Sequence, residues 1–240
     1  PAVVAYDPAF GYEVGHIVRD GLERMYGENS ENIYYYMTVY NEPYVQPAQP
    51  ENLDIAGLLK GIYLYSPAPR GRKKVQLLAS GVAMNWALKA QQLLNDDWGI
   101  CANVWSVTSW NELRRDGLTV DRHNLMNPGD KKSAYITEKL AKQEGPVVAV
   151  SDFMRAVQDQ IAPWVEQDFY SLGTDGFGLS DTRGALRRHF KVDAESIVVA
   201  ALARLADAGE VKSKVVQQGF DKDRLSDISG ADPGNTEGSG

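Results

Sequence analysis

The sequence predicts an α/β fold, a mostly parallel sheet with helices on both faces. Three observations predict it. A strand–helix–strand unit opens the chain. A second, longer series of alternating strands and helices begins near residue 75. The helices carry apolar stripes at 3.6-residue spacing, whereas the strands are short β-branched or aromatic runs.

The elements follow in order from local signals. Residues 3–6 form a short apolar run. Asp7-Pro8 then reads as a helix start, with Asp7 as cap and Pro8 at the first helical position, where its missing N–H costs nothing. Val14, Ile17, Val18, Leu22 and Met25 recur at helical spacing down to Gly27, a C′ residue. Ile33–Val39 is aromatic and β-branched enough to be the next strand. From Asn41 to Lys74 the prolines Pro43, Pro47, Pro50, Pro67 and Pro69 punctuate a stretch read as a surface-packed interdomain connection. It holds a short helix at Leu53–Leu59 and a strand at Gly61–Tyr65.

Val75–Ala79 is the strand that begins the second series. Ala83, Trp86, Ala87, Ala90, Leu93 and Leu94 give a helical stripe, and Ala102–Val107 is a strand. Ser109 and Glu112, three apart, form a capping box for a helix through Leu113 that ends at Gly117. Ser133–Gln143 is predicted helical and Pro146–Val150 a strand. Phe153, Val157 and Ile161 mark a helix stopped near Pro163, and Phe169–Leu172 is the last strand. Helices near 181–189, 194–208 and 211–219 close the domain. The Gly- and Ser-rich end from residue 226 is predicted to be a disordered tail.

Composition narrows the function classes. A net charge of −7 argues against a broad nucleic-acid surface, because neutralising phosphates needs excess Lys and Arg. The basic run Arg70-Gly71-Arg72-Lys73-Lys74 reads as a solvated linker. The single cysteine, Cys101, excludes an intrachain disulfide and reads as a small buried hydrophobe in a reducing compartment. No apolar run reaches the ~18 residues of a membrane span, and no signal-peptide core is present, so the expected location is cytoplasmic with no membrane partner.

Catalytic motifs are scarce. His16, His123 and His189 belong to no H-x-x-x-H or H-E-x-x-H pair, and His189 reads as an ion-pair partner of Asp193 near a helix end. No G-x-S-x-G elbow occurs. The stretch "SLGTDGFGLSDTR", residues 171–183, has its glycines in the order G-x-x-G-x-G and no P-loop lysine. It reads as a turn, with Ser180 as N-cap and Asp181 in the first helical turn. Asp116, Asp121 and Arg122, near Gly117, could line a cleft, since α/β proteins bind ligands at the carboxyl ends of their strands.

Several strings resemble a known family. "YDPAFGYEV", "DGLERMYGE", "YYYMTVYNEPY", "KGIYLY", "WSVTSWNELRRDG", "SLGTDGFGLSDTR" and "HFKVDAESIVVAAL" are similar to the C-terminal portion of the homodimeric bacterial pyruvate dehydrogenases, the thiamin-diphosphate-dependent decarboxylating components of the pyruvate dehydrogenase complex. The resemblance runs from Pro1 to about Leu225. It implies that residues 1–45 are the end of a thiamin-binding pyrimidine (middle) domain, 46–74 an interdomain connection, 75–225 a transketolase-like C-terminal domain, and 226–240 a tail. A chain that opens inside a strand is then expected to be part of something longer.

The resemblance also implies pyruvate decarboxylation on thiamin diphosphate with magnesium, and transfer of the acetyl group to a lipoyl arm. The implied partners are a second subunit of a homodimer and the dihydrolipoyl acyltransferase component. The superfamily's G-D-G…N-N motif is absent here, and Pro128-Gly129-Asp130-Lys131 does not replace it. No catalytic, cofactor-binding or metal-ligating residue is therefore assigned, and the segment is expected to be scaffold that is inactive alone. Tyr34-Tyr35-Tyr36 and Trp105/Trp110 are open to two roles, subunit interface or internal core. Two other readings stand beside this one. One is a free-standing interaction module docking onto another complex component through its acidic surface. The other is a different member of the transketolase group, such as a deoxyxylulose phosphate synthase.

Overall fold

A computed structural model describes residues 2–69, 71 and 73–227. Two sheets organise them. Strand β1 (Val3–Tyr6) leads through helix α1 (Gly11–Tyr26) to β2 (Tyr34–Met37), and β1 and β2 pair in parallel from Val3↔Tyr34 to Tyr6↔Met37. The second sheet has five strands in the order β3-β5-β4-β6-β7. These are β3 (Tyr63–Ser66), β4 (Lys74–Ala79), β5 (Cys101–Ser106), β6 (Val147–Val150) and β7 (Phe169–Leu172). All pair in parallel except β3, an antiparallel edge strand on β5.

The central strands are buried on both faces: β6 reads as a continuous apolar run, and β4 does so apart from its first residue, Lys74, and the buried Gln76. Side chains still alternate. Leu77 and Val148 enter one core with helices α3 (Ala83–Trp98) and α8 (Ala194–Asp207). Leu78, Val147 and Ala149 enter the opposite core with α4 (Trp110–Met126) and α5 (Tyr135–Leu140). A third cluster, Val4, Tyr6, Ile17, Leu58 and Tyr63, joins the β1–α1–β2 unit to α2 (Ile55–Lys60) and β3. The remaining helices are α6 (Arg155–Asp159), α7 (Arg183–Phe190) and α9 (Ser213–Lys222).

Several sequence expectations are corrected. Asp7 caps nothing: the first helix starts at Gly11 after Phe10, and Asp7 is buried. Val18 and Leu22, on the predicted apolar stripe, are exposed, while Glu13, Ile17 and Gly21 face inward. The 41–74 stretch is not confined to the surface, because Leu58, Ile62 and Tyr63 are fully buried and β3 completes the large sheet. Gly117 does not end its helix. α4 runs on to Met126, and Gly117 instead leaves room for the Trp164 ring, into which a Cβ would run.

Near Pro163 the predicted helix splits into α6 and a short 3-10 turn at Ala162–Trp164. Thr182, not Ser180, caps α7: it has extended backbone, and its Oγ1 accepts from the Ala185 N–H. Asp193 pairs with Arg188, while His189 rests edge-on against Phe190. Trp105 and Trp110 are core residues, each donating its indole N–H to an internal partner, Gln76 and Ser80. Ser109 caps α4 as expected. The predicted tail lies outside the described residues from 228 onward.

Candidate functional site

Two groups of polar side chains collect where the parallel strands end. Asp7 follows β1, Ser80 follows β4, and Ser106 closes β5. Asp7 Oδ1 accepts from the Tyr40 hydroxyl at 2.7 Å and from the Thr38 hydroxyl, and Oδ2 accepts from Ser80 Oγ at 2.6 Å. Ser80 Oγ in turn accepts from Trp110 Nε1 at 3.0 Å. The Asp7 backbone bridges the same strand ends, its N–H donating to Thr108 and its carbonyl accepting from Gly81.

One turn into α1, Glu13 is wholly buried. Its Oε2 accepts from the backbone N–H groups of Ala9 at 2.6 Å and Phe10 at 3.1 Å. Oε1 accepts from Tyr63 Oη at 2.7 Å and Ser106 Oγ at 2.6 Å. Burial pushes both carboxyls above the ordinary range, and these hydrogen bonds pull back in part. Every carboxylate oxygen of the cluster accepts at least one hydrogen bond, and the donors come from β3, β5 and the segments following β1, β2 and β4, so the cluster clamps these elements together.

The second group lines an open cleft of about 360 Å³. Its walls come from Tyr40–Glu42 after β2, Asp152 after β6, Thr174 to Leu179 after β7, and α7. This is the carboxyl edge of the sheet, where α/β folds place ligands. Arg187 is 8% exposed and grips Glu42 with both terminal guanidinium nitrogens, and its Cζ lies 5.0 Å from the centroid of the Trp86 ring. Burial alone would lower the Arg187 pKa, but Glu42 and Asp152 hold it above its usual value. Burial pushes the Asp152 carboxyl up, against the pull of Arg187. Asp152 Oδ1 has no hydrogen-bond partner among the described residues.

The glycine-rich stretch is a cleft wall as well as a turn. Thr174 N–H donates to Phe153, and Asp175 accepts from the Arg155 N–H, which pins its start. A Cβ at Gly173 would strike the Phe153 carbonyl, so the close approach needs glycine there.

The other residues named from the sequence do not converge. Asp116 accepts from the Tyr135 N–H, and Asp121 accepts from Trp164 Nε1, so both brace α4. His16 bonds Gln49 and His123 bonds the Asp130 carbonyl, on separate surfaces. Cys101 is buried at the start of β5. Among the described residues no three His, Cys, Asp or Glu side chains gather to hold a metal.

Sequence reasoning missed Glu13, Glu42, Asp152 and Arg187. Glu13 had a signal: it is four residues before Ile17 and eight before Gly21, a carboxylate on the buried stripe. Asp152 had one too, two residues beyond an apolar strand. Glu42 and Arg187 lie 145 positions apart, and no local pattern joins them.

Comparison with known proteins gives the lineage. The family model described as the transketolase-like TK C-terminal domain matches residues 61–193, and that of the pyruvate dehydrogenase E1 component middle domain matches residues 1–47. The pyruvate dehydrogenase E1 component of Mycolicibacterium smegmatis is 56% identical over 233 residues, 96% of this chain and 25% of that protein. That of Mycobacterium tuberculosis is 54% identical over 239 residues, 99% of this chain and 26% of the relative. The chain thus spans about a quarter of the length of these relatives. A transketolase structure from Pichia stipitis, in complex with sedoheptulose 7-phosphate, superposes with a TM-score of 0.59 at 20% identity. It covers 87% of this chain and 26% of the transketolase, a likeness of fold. The α/β architecture, the family model over more than half of the residues and the near full-length similarity to E1 components agree: the chain belongs to the transketolase-like C-terminal domain family, in the line of the pyruvate dehydrogenase E1 components.

Proposed function

We propose that the polypeptide carrying this sequence is the decarboxylating component of a pyruvate dehydrogenase complex, and that these residues are its structural rear portion. The observation that carries this reading is the 54–56% identity to E1 components along nearly all of the chain. In this reading residues 1–45 end the pyrimidine-binding domain, 46–74 connect, and 75–225 form the C-terminal domain. The matches at 1–47 and 61–193 support those divisions. The protein works as a cytoplasmic homodimer and passes acetyl groups to the lipoyl arm of an acyltransferase partner. No helix among the described residues is long and apolar enough to cross a membrane.

Thiamin diphosphate, held through magnesium, supplies the electron sink for decarboxylation in this class of enzyme. The described residues do not fit that site: they gather no magnesium ligand set, and the Asp7 and Glu13 carboxylates near the strand ends are fully engaged by protein donors. The part played by this chain is positional. Asp7 and Glu13 clamp the β1–α1 junction onto the ends of β4 and β5, and the Glu42–Arg187 pair ties the segment after β2 to α7.

The test is release of labelled carbon dioxide from pyruvate by the full-length polypeptide with thiamin diphosphate and magnesium, together with acetylation of an added lipoyl domain. Dependence of both on the cofactor supports the reading. Cofactor-independent inertness toward pyruvate, with turnover of a sugar phosphate instead, overturns it.

A further inference from the structure

The cleft at the carboxyl edge of the large sheet has a charge arrangement that the scaffold role does not use. Its floor is neutralised internally, because Arg187 and Glu42 clasp each other in bidentate fashion against the Trp86 ring. That leaves one cation and one anion on the walls. Arg183 is half exposed, bonds Asn41 Oδ1 at 3.1 Å and stands 3.8 Å from Glu42, so most of its five donors are uncommitted. Asp152 also lines the cleft, with Oδ2 3.9 Å from Arg187 and Oδ1 covered from solvent. The remaining wall is apolar: Leu179, Leu186, Phe190 and Val192.

We propose that this cleft binds a free α-amino acid with an apolar side chain. Its carboxylate meets Arg183, its ammonium meets the accessible edge of the Asp152 carboxylate, and its side chain lies against Leu179, Leu186 and Phe190. A simple anion would face Asp152 and Glu42, and a simple cation would face two arginines. A zwitterion satisfies both ends at once, and a volume of about 360 Å³ accommodates one. The site is separate from the Asp7–Glu13 clamp and does not rest on the thiamin reading.

The experiment is isothermal titration of the full-length polypeptide with L-leucine, L-valine, L-methionine and L-phenylalanine in turn. Beside them run 4-methylpentanoate and isoamylamine, which carry one charge each. At least one amino acid is expected to bind with a Kd below about 1 mM, with the single-charge analogues at least about tenfold weaker. Asp152→Asn and Arg183→Gln should each weaken binding by about tenfold or more, their folding checked by thermal melting. The analogues probe the unmodified protein, so the proposal stays exposed even if a variant misfolds. Binding by none of the four amino acids overturns it. So does an acid or amine that binds as tightly as the zwitterion, or a folded variant that binds as the parent does.

Discussion

Ser106, the last residue of β5, donates its hydroxyl to Glu13 of α1 at 2.6 Å across 93 positions of sequence. With Tyr63 on the same oxygen and the Ala9 and Phe10 N–H groups on the other, the carboxyl collects donors from β3, β5 and the turn before α1. It is the point at which the first strand–helix–strand unit is fixed to the larger sheet.

Replacing that carboxyl separates geometry from charge. Glu13→Ala strands two fixed backbone donors and two hydroxyls in the core and should cost about 2–5 kcal/mol. Glu13→Gln can set its carbonyl on the backbone N–H groups and its amide on the hydroxyls, which rotate, so its cost should stay below about 1.5 kcal/mol. Urea denaturation of both variants checks this. Equal losses would contradict the hydrogen-bond assignment.

The same site gives a pH dependence with a definite sign. Burial raises the folded pKa of Glu13 above its ordinary 4.5, so the folded state binds the proton more tightly than the unfolded state. The stability from Glu13 is therefore fully present below that ordinary value and is lost as pH rises through the folded pKa. Gln does not titrate, so the advantage of the parent over Glu13→Gln should shrink as pH rises above about 4.5. Paired denaturation curves across that range test it. An advantage that grows with pH would mean the folded carboxyl is an easier acid than the unfolded one.

Much of this fold was legible in the sequence because its strands and helices differ in period. Val75–Ala79 and Pro146–Val150 read as buried strands, and the Ala83–Leu94 stripe read as the helix now packed on α8. What escaped were polar groups whose partners are remote. Asp7 beside Pro8 satisfies the local rule for a cap, yet its three hydroxyl donors come from residues 38, 40 and 80. Gly117 satisfies the local rule for a stop, yet the indole of Trp164 decides its role. The cleft stays hidden in the sequence, because the glycine-rich stretch carries only the local signals of a turn and the other wall lies more than a hundred residues earlier.

Arg188 is 1% exposed and joins three elements. It pairs with Asp193 and Glu195 at the start of α8 and donates to the Asp223 carbonyl after α9. Burial alone would lower its pKa, but these partners hold it above its usual value. Arg188→Met leaves the buried Asp193 without its cation and Glu195 with only Lys89 among the described residues, and should cost about 3–5 kcal/mol. Hydrogen exchange should show α9 losing protection first. A loss under about 1 kcal/mol, or α9 unaffected, would contradict the role.

Gly145 holds φ +86°, and a Cβ there would run into the Lys74 carbonyl, backbone that cannot swing aside. Gly145→Ala should cost about 3 kcal/mol or more. Gly117→Ala, which meets the Trp164 side chain, should cost less because the ring can shift. Thermal melts of the two variants give the order, and the reverse order would contradict the packing at the β4–β6 edge.

The central claim is that this chain scaffolds a pyruvate-decarboxylating enzyme without supplying its catalytic groups. The most direct measurement compares pyruvate decarboxylation by the 240-residue chain alone with that of the full-length polypeptide, both given thiamin diphosphate and magnesium. Turnover is expected from the full-length polypeptide, and none above a buffer control from the chain alone. Turnover by the chain alone would contradict it.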